Sequence, residues 1–95
     1  MPAYFVAIRE STQDAEELKT YSEKAAQART DALTPLAFYG PFRMTEGEPM
    51  EGAVILQFPT FEDAEAWYDS PAYQEAVVHR FRGATYRTFI IQGVE

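Results

Sequence analysis

Ala53-Val54-Ile55-Leu56-Gln57-Phe58-Pro59-Thr60-Phe61-Glu62-Asp63 changes from one kind of secondary structure to another within a few residues. Ala53 to Phe58 is apolar and rich in β-branched side chains, which predicts a strand. Pro59 stops it, because a proline has no N–H to give to a ladder. Thr60 and Asp63 then stand at capping-box spacing, with Asp in place of the usual Glu, so a helix is expected from Phe61 to about Tyr68. Ser70-Pro71 breaks this second helix and restarts it, with serine as N-cap and proline at the first helical position. Tyr73, Ala76, Val77, Phe81 and Ala84 continue on one face, and Gly83 sits where a C-terminal glycine is expected.

The flanks complete the order. Tyr86 to Gln92 reads as the last strand, and Ala3 to Arg9 as the first. Ser11, Thr12 and Asp14 offer N-caps for a first helix. Its stripe runs through Leu18, Tyr21, Ala25, Ala28 and Ala32, and Thr34-Pro35 ends it. Leu36 to Met44 reads as another strand, broken by Gly40-Pro41 and so bulged or at a sheet edge. Thr45 to Glu51 is a polar connection. No repeat or linker divides residues 1–95, which make one domain.

The order β-α-β-β-α-β predicts an α+β, ferredoxin-like domain with a four-stranded antiparallel sheet and both helices on one face. The other face should then be polar in a monomer. It is not: Tyr4, Val6 and Ile8 oppose Phe5 and Ala7; Val54, Leu56 and Phe58 oppose Ala53 and Ile55; Ile90 opposes Phe89 and Ile91. Two helices cannot cover two faces, so a homodimer is expected.

Composition narrows the partners. At 46% apolar and 15% aromatic residues the chain can build a core. A net charge of −7 disfavours nucleic acid, whose phosphates would repel it. No apolar stretch approaches the roughly 20 residues that span a bilayer, so no membrane partner is expected. The absence of cysteine removes thiolate chemistry and fits a cytoplasmic location.

Phe58 to Tyr73, the opening Ala3-Tyr4-Phe5-Val6, the closing Gln92-Gly93-Val94-Glu95 and the acidic turn Met50-Glu51-Gly52 resemble the domain-of-unknown-function-1330 family of small bacterial proteins, in the dimeric α/β-barrel superfamily. The resemblance implies a dimer in which two sheets pack face to face with the helices outside. It brings no catalytic residue with it. The chain departs from the family pattern at Phe38-Tyr39-Gly40-Pro41-Phe42-Arg43, where a glycine pair and a longer hairpin are usual.

No phosphate-binding glycine loop, dinucleotide fingerprint or metal-ligand spacing is present, so neither cofactor nor metal is expected. His79 is the one imidazole and the natural acid–base candidate, although it falls off the core stripe and also suits an exposed position. Arg43, Arg80, Arg82 and Arg87 could hold a small carboxylate, or serve as surface charges among many acids. Trp67, Tyr68 and Tyr73 could line an aromatic ligand cleft, or simply pack the core. Pro2, freed by loss of Met1, would offer a secondary amine at a strand start, as in small tautomerases. Three functions follow as expectations. The first is a dimer binding a small hydrophobic or aromatic acid in a helix–sheet cleft, with room for cofactor-independent acid–base or oxygenase-type chemistry. The second is a non-catalytic interaction or regulatory module. The third is a tautomerase using Pro2.

Overall fold

Alternation along the strands sets the architecture. The computed structural model describes residues 1–94; Glu95, the last residue of the closing segment, lies outside the described residues. Strand β1 (Ala3–Thr12) is followed by helix α1 (Ala15–Gln27) and strands β2 (Thr34–Phe38) and β3 (Gly52–Phe58). Helices α2 (Phe61–Asp69) and α3 (Pro71–Gly83) and strand β4 (Ala84–Gln92) complete the chain. The four strands form one sheet in the order β2-β3-β1-β4, with every neighbouring pair antiparallel. This is the expected ferredoxin-like α+β arrangement.

The broken second helix is built on one serine. Ser70 closes α2 and caps α3: its hydroxyl donates to the Trp67 carbonyl at 2.7 Å and accepts the Tyr73 N–H at 3.3 Å. Pro71 follows at the first turn of α3, where its missing N–H costs nothing. Thr60 caps α2 by accepting the Asp63 N–H, and Asp14 caps α1 by accepting from Glu16 and Glu17. Of the three N-caps offered for α1, the chain uses Asp14, while Ser11 and Thr12 extend β1 past a bulge.

Several boundaries differ from expectation: β1 runs on to Thr12, and β4 starts at Ala84, which was expected on the helical stripe. Helix α1 ends at Gln27 rather than near Ala32, because a turn from the Thr30 carbonyl to the Leu33 N–H drops Leu33 into the core. Strand β2 starts at Thr34 and stops at Phe38, before Gly40-Pro41. Pairing with β3 fixes that register, and Pro35 is accepted because β2 is a bulged edge strand. Gly83 does not reverse the chain at a helix end; it allows close approach. A Cβ there would come within 3.0 Å of the Asp14 carbonyl and of Leu18, so the glycine lets α1 press on the end of α3.

The helices cover the face bearing Phe5, Ala7, Val54, Leu56 and Phe58, all buried. On the opposite face Ala37, Ile55, Val6 and Phe89 lie in register across all four strands, and within this chain no helix covers them.

Candidate functional site

Small side chains open a space beneath α1. None of its residues is fully buried, and it packs chiefly along α3. Toward the sheet it offers Ala25, Ala26 and Ser22, opposite Ala7 and Val54. These cannot fill the gap that larger residues would, and a cavity of about 470 Å³ remains between helix and sheet. That volume falls within the range of small-molecule sites. Leu18, Leu33, Val54, Leu56 and Trp67 give it an apolar body.

One end of the cavity is polar. Tyr21, Tyr39, Tyr86 and Arg9 reach it from four different elements or connections. The Tyr21 and Tyr73 hydroxyls share a hydrogen bond of 2.8 Å, and those of Tyr39 and Tyr86 share another. Arg80 donates to the Tyr73 hydroxyl at 3.2 Å. Its guanidinium lies over the rings of Tyr86, Phe81 and Tyr21 at 5.0, 5.5 and 5.7 Å. Arg80 is only 3% exposed and has no carboxylate partner among the described residues. A buried cation without an anion is costly, and stacking on aromatic faces offsets only part of that cost.

Burial raises the Tyr21, Tyr39 and Tyr73 hydroxyls above the usual phenol range, so they stay protonated well past neutrality. Arg80 pulls against this at Tyr21 and Tyr73, and Arg9 does so at Tyr39.

The residues singled out from the sequence separate into groups. Trp67 lines the cavity while stacking on Phe5, Phe58 and Tyr73. Tyr73 is completely buried behind the cavity wall, bonded to Tyr21 and Arg80. Arg80 joins this cluster instead of the surface charges, because it occupies the inward position one turn beyond Ala76 and Val77 and two beyond Tyr73. Phe81, expected on that stripe, is 63% exposed. Tyr68 faces a separate, smaller hollow with Phe61, Glu65 and Thr88. His79 is not in the cavity lining; its Nδ1 lies 2.8 Å from Glu17 Oε2 and ties α3 to α1. Arg43 is exposed in the connection after β2, Arg82 is exposed on α3, and Arg87 lies beside Glu10 on β4. The Pro2 carbonyl accepts the Gly93 N–H at 2.7 Å.

Four residues of the polar end were not singled out from the sequence: Arg9, Tyr21, Tyr39 and Tyr86. A signal existed for three. Arg9 shares the strand parity of Phe5 and Ala7, Tyr86 that of Ile90, and Tyr21 lies on the α1 stripe. Tyr39 lies in an irregular connection, where periodicity gives no guidance.

A family model described as Domain of unknown function (DUF1330) matches residues 2–94. The chain belongs to that family. No curated protein matches it. Among solved structures, a DUF1330 chain of this shape resembles a protein of unknown function from Rhodopseudomonas palustris, with a TM-score of 0.74 and 16% identity over 99% of this chain and 83% of the other. It also resembles a dimeric protein of unknown function and ferredoxin-like fold from Bacteroides fragilis, with a TM-score of 0.60 and 13% identity over 97% and 96% of the two chains. A third is SnoaB, a cofactor-independent oxygenase from Streptomyces nogalater, with a TM-score of 0.67 and 9% identity over 99% and 94%. Identities this low establish a shared ferredoxin-like fold and nothing finer.

Proposed function

We propose that this DUF1330 protein is a homodimer that binds a small hydrophobic or aromatic acid in the cavity beneath α1. The observation that carries the binding site is the buried Arg80, without a carboxylate partner among the described residues, behind the polar end of an otherwise apolar cavity. An apolar body in the cavity gains from leaving water, and an acidic head supplies the counter-charge that Arg80 lacks, Arg9 being already paired with Glu51 at 3.0 Å.

The dimer reading is supported by the open sheet face. Tyr4, Val6, Ile8 and Ile55 there are only half-buried, and Phe89 and Ile91 are 48% and 53% exposed. A second copy laid on this face would bury on the order of 1,600 Å² in total, the size of a standard specific interface. The Bacteroides fragilis neighbour is described as dimeric.

Binding without catalysis is what the cavity geometry supports best. Among the described residues its lining holds no carboxylate and no imidazole, and His79 is engaged with Glu17 outside it. Acid–base or oxygenase-type chemistry, of the class named for SnoaB, would have to draw its reactivity from the ligand itself.

A thermal-shift screen with aliphatic and aromatic acids tests the proposal. A ligand at ten times its Kd adds about 1.4 kcal/mol, and so several degrees to the midpoint. Ala25→Leu, which fills the cavity from α1, should abolish the shift. If no acid raises the midpoint, or if Ala25→Leu leaves the shift intact, the cavity is not the binding site.

A further inference from the structure

Buried side-chain nitrogens and oxygens that find no hydrogen-bond partner among the described residues are all of one kind: Arg9 Nε, Trp67 Nε1 and Arg80 Nε. Each is an N–H donor with no capacity to accept. Arg9 and Trp67 line the cavity, and Arg80 stands directly behind two of its rings. Arg9 Nε does lie 3.0 Å from Glu51 Oε1, yet out of line for a hydrogen bond.

The hydroxyls tell the same story. Tyr21 with Tyr73 and Tyr39 with Tyr86 form two pairs, and each pair holds two protons. One proton is used between the partners, so each pair retains one O–H with no acceptor among the described residues. Burial keeps Tyr21 and Tyr39 protonated through neutral pH. The charged residues in the lining are Arg9 and Arg29, both positive, in a chain of net charge −7. Donors therefore converge where acceptors are scarce, as in sites preorganised for an oxyanion.

Tyr39 is held in place at some cost. Its φ is 53°, in the left-handed region that a side chain of this size rarely adopts. The Arg9 guanidinium sits 4.8 Å from its ring centre. The edge of the ring would stand 2.8 Å from a Cβ at position 52, so Gly52 leaves room for the ring to lie there. An aromatic residue with left-handed backbone in the cavity lining, held by a hydrogen bond to Tyr86 and a guanidinium on its ring, is a positioning device.

From these features we infer that the polar end is a hole for one carboxylate, which enters already ionised. It meets the hydroxyl of Tyr21 and the one free O–H of the Tyr39–Tyr86 pair, with Arg80 supplying positive charge from behind. The lining has no base to take a proton from a neutral acid, and free carboxylic acids are ionised at neutral pH without help. The inference rests on the cavity being the ligand site and adds what that site selects. It disfavours the alcohol and the amine of the same body.

Isothermal titration of the full chain with phenylbutyrate, phenylbutanol and phenylbutylamine tests it. Phenylbutyrate should bind at least about tenfold tighter than phenylbutanol, and the amine weakest, since hydrogen bonds to a charged partner outweigh neutral ones. Tyr39→Phe together with Tyr86→Phe keeps both rings and removes the pair's free O–H; this double variant should weaken phenylbutyrate roughly tenfold and leave phenylbutanol unchanged. Gly52→Ala, which displaces the Tyr39 ring without touching a hydroxyl, should do the same. Equal affinity for acid and alcohol, a preference for the amine, or equal losses for acid and alcohol in the double variant would overturn the carboxylate hole while leaving the cavity as a ligand site. Failure of all three compounds to bind would overturn both.

Discussion

Phe5 and Val6 are neighbours in β1, and both are apolar. Phe5 is 3% exposed beneath Trp67 and Tyr68, whereas Val6 points to the other side of the sheet, where no helix of this chain covers it. The same contrast separates Val54 from Ile55 and Ile90 from Phe89. Apolar character alone thus does not decide which face of a sheet forms the core. What decides it is which face the connecting helices can reach, and here both βα crossovers fall on one side. The covered face is self-sufficient except for the cavity under α1. The open face has the residues of a core without the layer that would complete it.

Substitutions on the open face should act through association. Val6→Asp puts a charge in the middle of the row formed with Ile55 and Phe89. It should convert the proposed dimer to a monomer at micromolar concentration in light scattering, because burying an unpaired carboxylate costs more than the face can return. Finding the wild-type chain already monomeric there would remove the proposed dimer altogether.

On the covered face the loss should be intrinsic to the fold. Trp67→Ala removes a ring packed on Phe5, Phe58, Tyr68 and Tyr73 and should cost about 3–5 kcal/mol in denaturant unfolding, with the dimer mass retained. If Trp67→Ala instead dissociated the dimer, the two faces would not be energetically separate.

Alkali should probe the covered face alone. Tyr21, Tyr39 and Tyr73 have raised pKa values, chiefly from burial, so the folded chain holds these protons more tightly than the unfolded chain does. The stability this provides is fully present below pH of about 10 and falls as pH rises beyond it. Ultraviolet titration should show these three of the six tyrosines ionising only with unfolding. Smooth ionisation of all six while the fold persists would contradict the burial of the cluster.

The caps and helix ties should matter least. Ser70→Ala removes the hydroxyl that serves α2 and α3 and should cost about 1 kcal/mol. His79→Ala breaks a partly exposed pair with Glu17 and should cost less than about 1 kcal/mol in thermal unfolding. A larger loss would mean that α1 depends on this tie more than on its contacts with Gly83 and Tyr73.

Much of the fold could be read in advance because its signals are local. The two-residue period of β1 and β3, the Thr60 and Ser70 caps and the Ser70-Pro71 break depend on residues a few positions apart, and all appear where expected. The end of α1 and the limits of β2 did not, since one depends on Leu33 finding the core and the other on pairing with β3. The candidate site was the least legible part. Trp67, Tyr73 and Arg80 were named, but not their grouping with Arg9, Tyr21, Tyr39 and Tyr86, drawn from β1, α1, the connection after β2, and β4. By itself the sequence determined the order of elements and the apolar character of both sheet faces, through periodicity and turn chemistry. Tertiary structure alone decided that an arginine at a helical core position would be buried without a carboxylate among the described residues. Its surroundings come from rings 59 residues before it and six after, and no local pattern records that meeting.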